Sequence, residues 1–369
     1  MSRWWSYFTV LCVVAMTVAC SKQAPPVASP PTSKMRTLEG YPSATIDVIQ
    51  RHQQYLQTAS GTNVAHLQSI VSKSRTWSPG HSITIAFEGG SASLRAQIMQ
   101  HLQPWTQAAG VAFDFGPGAV NGVFREWAPT DTSYTADVRI AFRGGDQGGY
   151  WSMVGRDSVN PGLAKPGEPS MNFEGFLKGL PEDWEATVLH EFGHALGFEH
   201  EHQSPVAPCE TEFRWDDDPG YVQTRDIYKQ AVPDSQGRRP GIYTVLENPP
   251  NSWKKDQIDF NLRQLPQSAD WILSAFDPQS IMKYQFDDWM FTNGVKSRCY
   301  SIANLVLSKQ DREAAQKIYP RSSPAIVDAL NTKQRALQEL VQLKGLPSDL
   351  VSQYRAELSV VKKRTTKAH

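Results

Sequence analysis

Apolar and polar residues alternate over several short stretches in the part of the chain that begins near Thr76, where the first clear secondary-structure pattern occurs. The alternation and the β-branched residues predict β-strands at residues 82–87, 111–115, 136–142 and 148–155. Between the first two strands, Ser91 begins a stretch in which apolar residues recur at helical spacing, and Gly110 ends it. The pattern therefore predicts several strands and a helix in close succession.

A further helix is predicted from a stripe of apolar residues that follows Pro181. Proline suits a first helical turn, and the stripe repeats at every fourth residue, at Trp184, Val188 and Phe192. We expect this stripe to face the core, with His190 and His194 on the opposite side of the helix. Gly197 adopts the left-handed conformation without a steric penalty, so we expect the helix to end there.

Helical patterns also fill the last part of the chain. Ser308 and Asp311 form a capping-box pattern for a helix that Pro320 ends. Residues 324–344 and 348–363 then show helical periodicity. An α-hairpin packed on the domain is favoured over a partner-binding coil for these two stretches.

The chain begins like an exported protein. The uncharged, mostly apolar run from Trp4 to Ala19 predicts a signal peptide over residues 1–19, and a short membrane span is the alternative. The stretch that ends at Cys20 resembles a bacterial lipobox, so we expect a lipidated cysteine, the alternative being a cysteine of the signal itself. Residues 20–40 are rich in Pro and Ser and predict a tether. These features favour an exported, lipid-anchored protein of the outer membrane of a Gram-negative-type bacterium.

Charge and cysteine content limit the partners of the protein. Lys plus Arg and Asp plus Glu both number 37, so no net field would attract nucleic acid. Of the four cysteines, Cys12 would leave with the signal and Cys20 would carry lipid. Cys209 and Cys299 remain, and in an oxidising compartment they predict a disulfide, with two unpaired thiols as the alternative.

The densest chemistry lies in the stretch HEFGHALGFEH, which begins at His190. Residues four apart share one face of a helix, so His190 and His194 can present two imidazoles to one tetrahedral zinc ion. A turn at the glycine can bring His200 back as a third ligand, which leaves the fourth position for water. Glu191 is placed to accept the proton of that water, whose pKa zinc lowers to about 7.

The full spacing HExxHxxGxxH carries this prediction. HExxH alone recurs by accident in buried helices, whereas the longer pattern is far rarer. The metal needs only one of His200 and His202. We therefore interpret His202 as a solvent-facing histidine or as one that lies behind the ligands.

The motif resembles the signature of the metzincin zinc endopeptidases, and Glu201, directly after the third histidine, makes it most similar to that of the astacins. The stretch SIMKY at residues 280–284 resembles the astacin Met-turn. This resemblance implies that Met282 lies beneath the zinc site. It also implies that Tyr284 serves as a labile ligand and as a hydrogen-bond donor in the transition state.

The stretch GGYWSMVGR at residues 148–156 resembles the astacin edge strand. It implies that Tyr150, Trp151 and Ser152 bind an extended substrate by β-augmentation. The resemblance covers roughly residues 76–320, between a helical segment of unknown role at 41–75 and a helical tail at 321–369. It implies an α+β, metzincin-like zincin fold with a twisted, mostly parallel sheet, an active-site helix and an irregular C-terminal subdomain.

The chain departs from the astacin pattern after the glutamate. Astacins continue with an Arg and Asp pattern, whereas this chain has His202 and Gln203. The astacin glutamate pairs with the freed N-terminus of the mature enzyme, an amine that a lipidated Cys20 does not offer, so the partner of Glu201 is left open. No cysteine lies between Cys20 and Cys209 to act as a thiol latency switch, and no aspartate switch is evident.

Together these features predict an endopeptidase that binds one catalytic zinc ion and hydrolyses proteins or peptides by metal-activated water, with Glu191 as the general base. One alternative is a non-catalytic, zinc-containing surface or adhesion module on the same scaffold. Another is a zinc hydrolase that acts on cell-wall peptides. Membrane contact is expected only through the lipid anchor, and the sequence indicates no oligomeric state.

Overall fold

The structure is a computed structural model that describes residues 38–60, 71–266 and 275–368. The predicted signal peptide, the lipidation of Cys20 and the tether up to residue 37 lie outside the described residues and stay predictions. Within the described ranges, no helix is both long and apolar enough to cross a membrane.

Five strands form the main sheet, and two more form a small hairpin. The strands are β1 (Ser82–Phe87), β2 (Ala112–Asp114), β3 (Val138–Ala141), β4 (Tyr150–Ser152), β5 (Met171–Phe173), β6 (Thr224–Arg225) and β7 (Ala231–Val232). The main sheet has the order β2-β1-β3-β5-β4, and every pairing is parallel except that β4 runs antiparallel to β5. The predicted α+β fold with a mostly parallel sheet is confirmed, although the sequence did not indicate β5.

Helices flank the sheet and fill both ends of the described chain. They are α1 (Ser43–Ser60), α2 (Ala92–His101), α3 (Gln103–Ala108), α4 (Trp184–Ala195), α5 (Cys209–Glu212), α6 (Ile242–Leu246), α7 (Lys255–Leu262), α8 (Lys309–Ile318), α9 (Ser323–Gln342) and α10 (Ser348–Ala368).

Two predicted helix boundaries are wrong. The stretch from Ser91 to Gly110 forms α2 and α3 rather than one helix, because Pro104 has no N–H to continue the hydrogen-bond ladder. Helix α4 begins at Trp184 rather than at Pro181.

The apolar stripe of α4 packs into the core and leaves the histidines on another face of the helix. Val188 and Phe192 have no exposed surface, whereas Trp184 is only partly buried. Burial of each such side chain stabilises the fold by roughly 1.5–3 kcal/mol. The indole of Trp105 on α3 also donates a hydrogen bond of 3.0 Å to the carbonyl of Leu189. These contacts fix the rotation of α4 about its axis, and therefore the direction in which its histidines point.

The half of the domain that follows α4 is largely irregular, as the resemblance implied. A second core, separate from that of the sheet, is built there around Phe213, Phe286 and Phe291. Cys209 and Cys299 lie in this core and are joined by a disulfide. The disulfide closes a loop that contains short helices α5 to α7 and the β6–β7 hairpin.

The C-terminal helices α9 and α10 pack against each other as a hairpin on the domain. Glu357 of α10 lies 3.2 Å from the guanidinium of Arg156 and 3.3 Å from the ammonium of Lys333, and it accepts a hydrogen bond of 2.8 Å from Ser78. The hairpin also packs on the N-terminal helix, because Leu56 of α1 shares a buried cluster with Leu340. The hairpin is therefore an integral part of the described fold.

Glu357 should make the stability of this hairpin depend on pH. Burial by itself raises the pKa of Glu357. The charges of Lys333 and Arg156 outweigh this effect and lower the pKa to about 2. Burial, and then the charge of Arg156, lower the pKa of Lys333 to about 7, so both partners are cationic below that pH. Because the folded pKa of Glu357 lies below its ordinary value of 4.5, the stabilisation is present above that pH and is lost as the pH falls towards 2.

We expect Glu357→Gln to lower the free energy of unfolding at neutral pH by on the order of 3 kcal/mol. The difference from the parent should vanish near pH 2, as measured by denaturant titration at several pH values. Glu313→Gln is the matched control, because the ion pair of Glu313 with Lys309 is largely exposed. A difference that persists unchanged at the lowest pH would contradict the assignment.

Candidate metal centre

Three histidine side chains converge at one end of the buried helix α4. The Nε2 atom of His194 lies 3.1 Å from that of His190 and 3.0 Å from that of His200. All three residues are buried and offer ligand atoms to one position. Nitrogen ligands at 2.0–2.1 Å in a tetrahedral site lie about 3.3 Å from each other, so this arrangement fits a zinc ion.

The turn at Gly197 brings His200 to the helical pair. Gly197 has a φ of +101°, which an L-residue rarely adopts, and the N–H of Phe198 returns to the carbonyl of Gly193 at 3.1 Å. The chain therefore leaves the helix axis at the predicted residue. A side chain at Gly197 would strain this backbone and displace His200.

Each histidine has a hydrogen-bond acceptor at its other ring nitrogen. The Nδ1 atoms of His190 and His194 lie 2.7 Å from the carbonyl oxygens of Ile281 and Phe198. The Nδ1 atom of His200 lies 2.9 Å from the side-chain oxygen of Gln203. These acceptors place the ring proton on Nδ1 and leave a lone pair on each Nε2, as metal ligation requires.

Burial supports the same protonation state. It lowers the pKa of His194 to about 3, with a further contribution from the charge of His190. Burial and the neighbouring histidines also lower the pKa of His200 well below its ordinary value. His194 and His200 are therefore neutral at physiological pH.

Gln203 is a residue that the sequence did not mark as functional. Its amide N–H groups donate to the carbonyls of Phe260 and Arg263, at 2.9 and 3.0 Å, so its oxygen must face His200. Astacins have a different pattern at this point, and in this chain the position holds a third ligand in place.

We expect Gln203→Ala to weaken zinc binding by about 10- to 100-fold, because His200 loses the acceptor that orients it. The measurement is competition for zinc with a chromogenic chelator. Gln264→Ala is the matched control, since the amide of Gln264 bonds to the carbonyls of Ser204 and Ala207 and to none of the ligands. Equal affinities for the two variants would contradict this role.

Glu191 lies beside the ligands with its carboxylate buried. Only 1% of the residue is exposed, and neither carboxylate oxygen has a hydrogen-bond partner among the described residues. Burial raises the pKa of Glu191, and the charge of Glu39 raises it further. A carboxyl group without protein partners in such a place is available to bind and deprotonate a water molecule.

Met282 packs against α4 at Gly193, which lies between His190 and His194 in the sequence. A Cβ atom at Gly193 of α4 would come within 2.2 Å of the Met282 sulfur, so any larger residue there would have to displace the Met282 side chain. The Met-turn is held by Asp311, whose carboxylate accepts hydrogen bonds from Ser280 at 2.7 Å and from the N–H of Ile281 at 2.9 Å. The N3 residue of the α8 capping box therefore also positions the carbonyl that orients His190.

The rings of Tyr284 and His202 pack against each other and against that of His200. The ring of Tyr284 lies 4.4 Å from that of His200 and 4.5 Å from that of His202. Its hydroxyl is buried without a partner in the described part of the chain. Burial, and then the charge of Glu39, raise the pKa of Tyr284, so its proton is retained. His202 is 1% exposed and lies 3.1 Å from the Asn261 carbonyl, so its solvent-facing interpretation is wrong.

Glu201 bonds within the domain. Its carboxylate accepts a hydrogen bond of 2.9 Å from the N–H of Asp277, and its own N–H donates to the Met282 carbonyl at 2.9 Å. Glu201 and His200 both line a cavity of about 490 Å³. Burial raises the pKa of Glu201 to about 7. The neighbouring Glu199 forms an ion pair of 3.0 Å with Arg75.

Strand β4 forms one wall of a cleft beside the histidines. Trp151 and Ser152 of this strand are buried, and Tyr150 is partly buried. One edge pairs with β5, where Tyr150 is opposite Phe173. On the other edge the carbonyl of Tyr150 accepts a hydrogen bond of 3.1 Å from the N–H of Gly40. The edge predicted to bind substrate therefore binds the protein's own chain.

The cleft also contains a segment that the sequence did not predict. This cleft segment consists of Leu38, Glu39, Gly40 and Tyr41. The carboxylate of Glu39 lies 3.3 Å from the Nε2 atom of His190, and Glu39 is buried. The tether predicted over residues 20–40 is wrong for its last residues, because they pack in the cleft. The stretch LEGY has no periodicity that would reveal such a role.

In its histidine motif the chain resembles the metzincin zinc endopeptidases. No family model and no curated protein sequence matches it. Among solved structures it is similar to myroilysin, at 28% identity and a TM-score of 0.49 over 68% of this chain and 97% of that chain. A second structure of myroilysin has 28% identity and a TM-score of 0.42 over 67% and 87% of the two chains. High choriolytic enzyme 1, a hatching enzyme zinc-protease from Oryzias latipes, has 13% identity and a TM-score of 0.37 over 66% and 94%.

Proposed function

We propose that the protein is a zinc-dependent endopeptidase with one catalytic ion held by His190, His194 and His200. The observation that carries this proposal is the convergence of three buried Nε2 atoms beside the carboxylate of Glu191, which has no hydrogen-bond partner among the described residues. Neutral imidazoles with fixed ring protons form a ligand set typical of zinc. When bound, zinc supplies a Lewis acid and lowers the pKa of water.

Glu191 moves the proton during hydrolysis. Its carboxylate accepts a proton from the attacking water and later transfers it to the amine that leaves as the peptide bond breaks. The buried surroundings that raise its pKa stabilise the protonated form that holds the proton between these two steps.

Tyr284 stabilises the negative charge that develops on the carbonyl oxygen of the substrate. Its hydroxyl has no partner among the described residues and keeps its proton, so it is available as a donor. A donor of this kind contributes roughly 2.7–4 kcal/mol to transition-state stabilisation in other hydrolases.

The edge of β4 that now pairs with Gly40 binds an extended peptide backbone by strand addition when the cleft segment leaves it. The hydrogen bond from Gly40 to Tyr150 supports this, because it is the bond that a substrate N–H would form there. Tyr150, Trp151 and Ser152 would then align the scissile bond with the metal. A non-catalytic module with structural zinc has no use for a buried carboxylate beside the ligands, so Glu191 argues against that alternative.

The test is cleavage of denatured casein and of a peptide library by the purified full chain. We expect cleavage that 1,10-phenanthroline abolishes and that added zinc restores, with one zinc ion per chain by atomic emission. His194→Ala should lose both the metal and the activity. Cleavage that persists after the metal has been removed, or none by a fully zinc-loaded chain with an open cleft, would refute the proposal.

A further inference from the structure

The ring of Tyr41 occupies a pocket in the wall of the cleft. It packs against Trp151 of β4 and Phe260 of α7, with ring centroids at 6.4 and 6.0 Å. Its hydroxyl donates a hydrogen bond of 2.6 Å to the carbonyl of Ser152. The pocket therefore has aromatic walls and one acceptor at its end, which suits a phenol ring.

The pocket also binds the backbone next to the ring. The N–H of Tyr41 donates to the side-chain oxygen of Asn261 at 3.0 Å, and its carbonyl accepts from the amide of Gln257 at 3.0 Å. Both partners lie on α7. Any peptide with an aromatic residue at this position presents the same donor and acceptor.

The ring pocket lies next to the metal centre. Tyr41 and Trp151 line the same small cavity as Glu191 and His194. That cavity retains only about 10 Å³, which is barely the space of one water, because the cleft segment fills it. Glu39, two residues before Tyr41, reaches His190. A side chain in the ring pocket is thus within one or two residues of a peptide bond at the metal.

We propose that the ring pocket of Trp151, Phe260 and Ser152 is a substrate subsite that selects an aromatic side chain, tyrosine above phenylalanine, within two residues of the scissile bond. The proposal rests on the proposed endopeptidase function and names the class of peptides on which it acts. The cleft segment occupies the subsite in the described structure, and a substrate takes its place. The hydroxyl contact with Ser152 is the reason that tyrosine ranks first.

Binding without catalysis tests the subsite. The probe is a fluorescein-labelled peptide with the sequence of residues 38–44, LEGYPSA, beside a counterpart with alanine in place of the tyrosine. The protein is the full chain with Glu39→Ala and Tyr41→Ala, which weaken its own segment, in excess chelator. We expect the tyrosine peptide to bind at least about tenfold more tightly. Equal binding of the two peptides, or no binding of either, overturns the proposal.

Variants of the pocket supply the controls. Trp151→Ala should reduce the discrimination between the two peptides to less than about threefold, and Phe260→Leu serves as a milder second variant if the first does not fold. Tyr228→Ala removes an exposed aromatic ring outside the cleft and should keep the full discrimination. Retained discrimination in a folded Trp151→Ala protein would overturn the assignment of the pocket.

A cleavage map separates this proposal from the proposed function. Zinc-loaded Glu39→Gln protein is incubated with denatured casein, and the new termini are identified by mass spectrometry. We expect tyrosine and phenylalanine to be enriched within two residues of the cut sites. Tyrosine-dependent binding without any cleavage would refute the endopeptidase and keep the subsite, whereas cleavage without aromatic enrichment would refute the subsite alone.

Discussion

Replacement of Glu191 by glutamine should lower kcat/KM for peptide hydrolysis by about 10²- to 10⁴-fold. Glutamine keeps the shape of the side chain but accepts no proton, so the water loses its base and the leaving amine loses its acid. Zinc content should be unchanged, because the three ligands are histidines whose ring protons are held by Ile281, Phe198 and Gln203. The measurement combines steady-state kinetics with atomic emission on the same samples.

Glu182→Gln is the matched control for this change, since Glu182 is an exposed residue just before α4. It should retain the rate of the parent. An undiminished rate in Glu191→Gln, with zinc bound, would remove this residue from the mechanism. Loss of zinc together with activity would instead make it a ligand.

Glu39→Gln should raise the activity of the full chain by about 10- to 100-fold. The carboxylate of Glu39 lies 3.3 Å from a ligand atom of His190, a separation typical of two ligands of one ion, so it competes with water and substrate for the metal. An amide is a poorer zinc ligand than a carboxylate, so the cleft segment should leave more often, and the competent fraction of the protein should rise in proportion. Initial rates with a quenched fluorescent peptide measure this fraction.

Glu39→Asp and Glu247→Gln accompany this measurement. The shorter carboxylate should give an intermediate rate, because it reaches the metal less well. Glu247 is exposed and remote from the ligands, so its variant should match the parent. A rate that falls in Glu39→Gln would show that this carboxylate assists hydrolysis rather than opposing it.

Local sequence patterns predicted the parts of the site that depend on neighbours in the chain. The spacing of His190 and His194 needs only one helical turn, and Gly197 supplies the backbone conformation that ends the helix. The capping box of Ser308 and Asp311 is likewise a local motif, and it forms as predicted. Such features depend on a few residues whose geometry is set by the backbone.

Residues that act across long sequence distances escaped prediction. Glu39 contacts His190 although the two residues are far apart in the sequence, and the space at Gly193 is limited by Met282 and Trp105 from distant parts of the chain. Gln203 orients His200 because the carbonyls of Phe260 on α7 and of Arg263 directly after it accept hydrogen bonds from its amide. The periodicity of apolar residues cannot predict these contacts, because they form only when distant parts of the chain pack together.

Pro42 and the packed helix α1 directly follow the cleft segment, and they determine how any substrate gains access. A segment held at one end by a folded element has an effective concentration in the millimolar range at its own binding site. A peptide in solution therefore faces a competitor that cannot diffuse away. The apparent KM of the full chain should therefore lie far above the intrinsic dissociation constant of the substrate. A free peptide copy of the segment should inhibit the Glu39→Gln protein only weakly, because it lacks the tether.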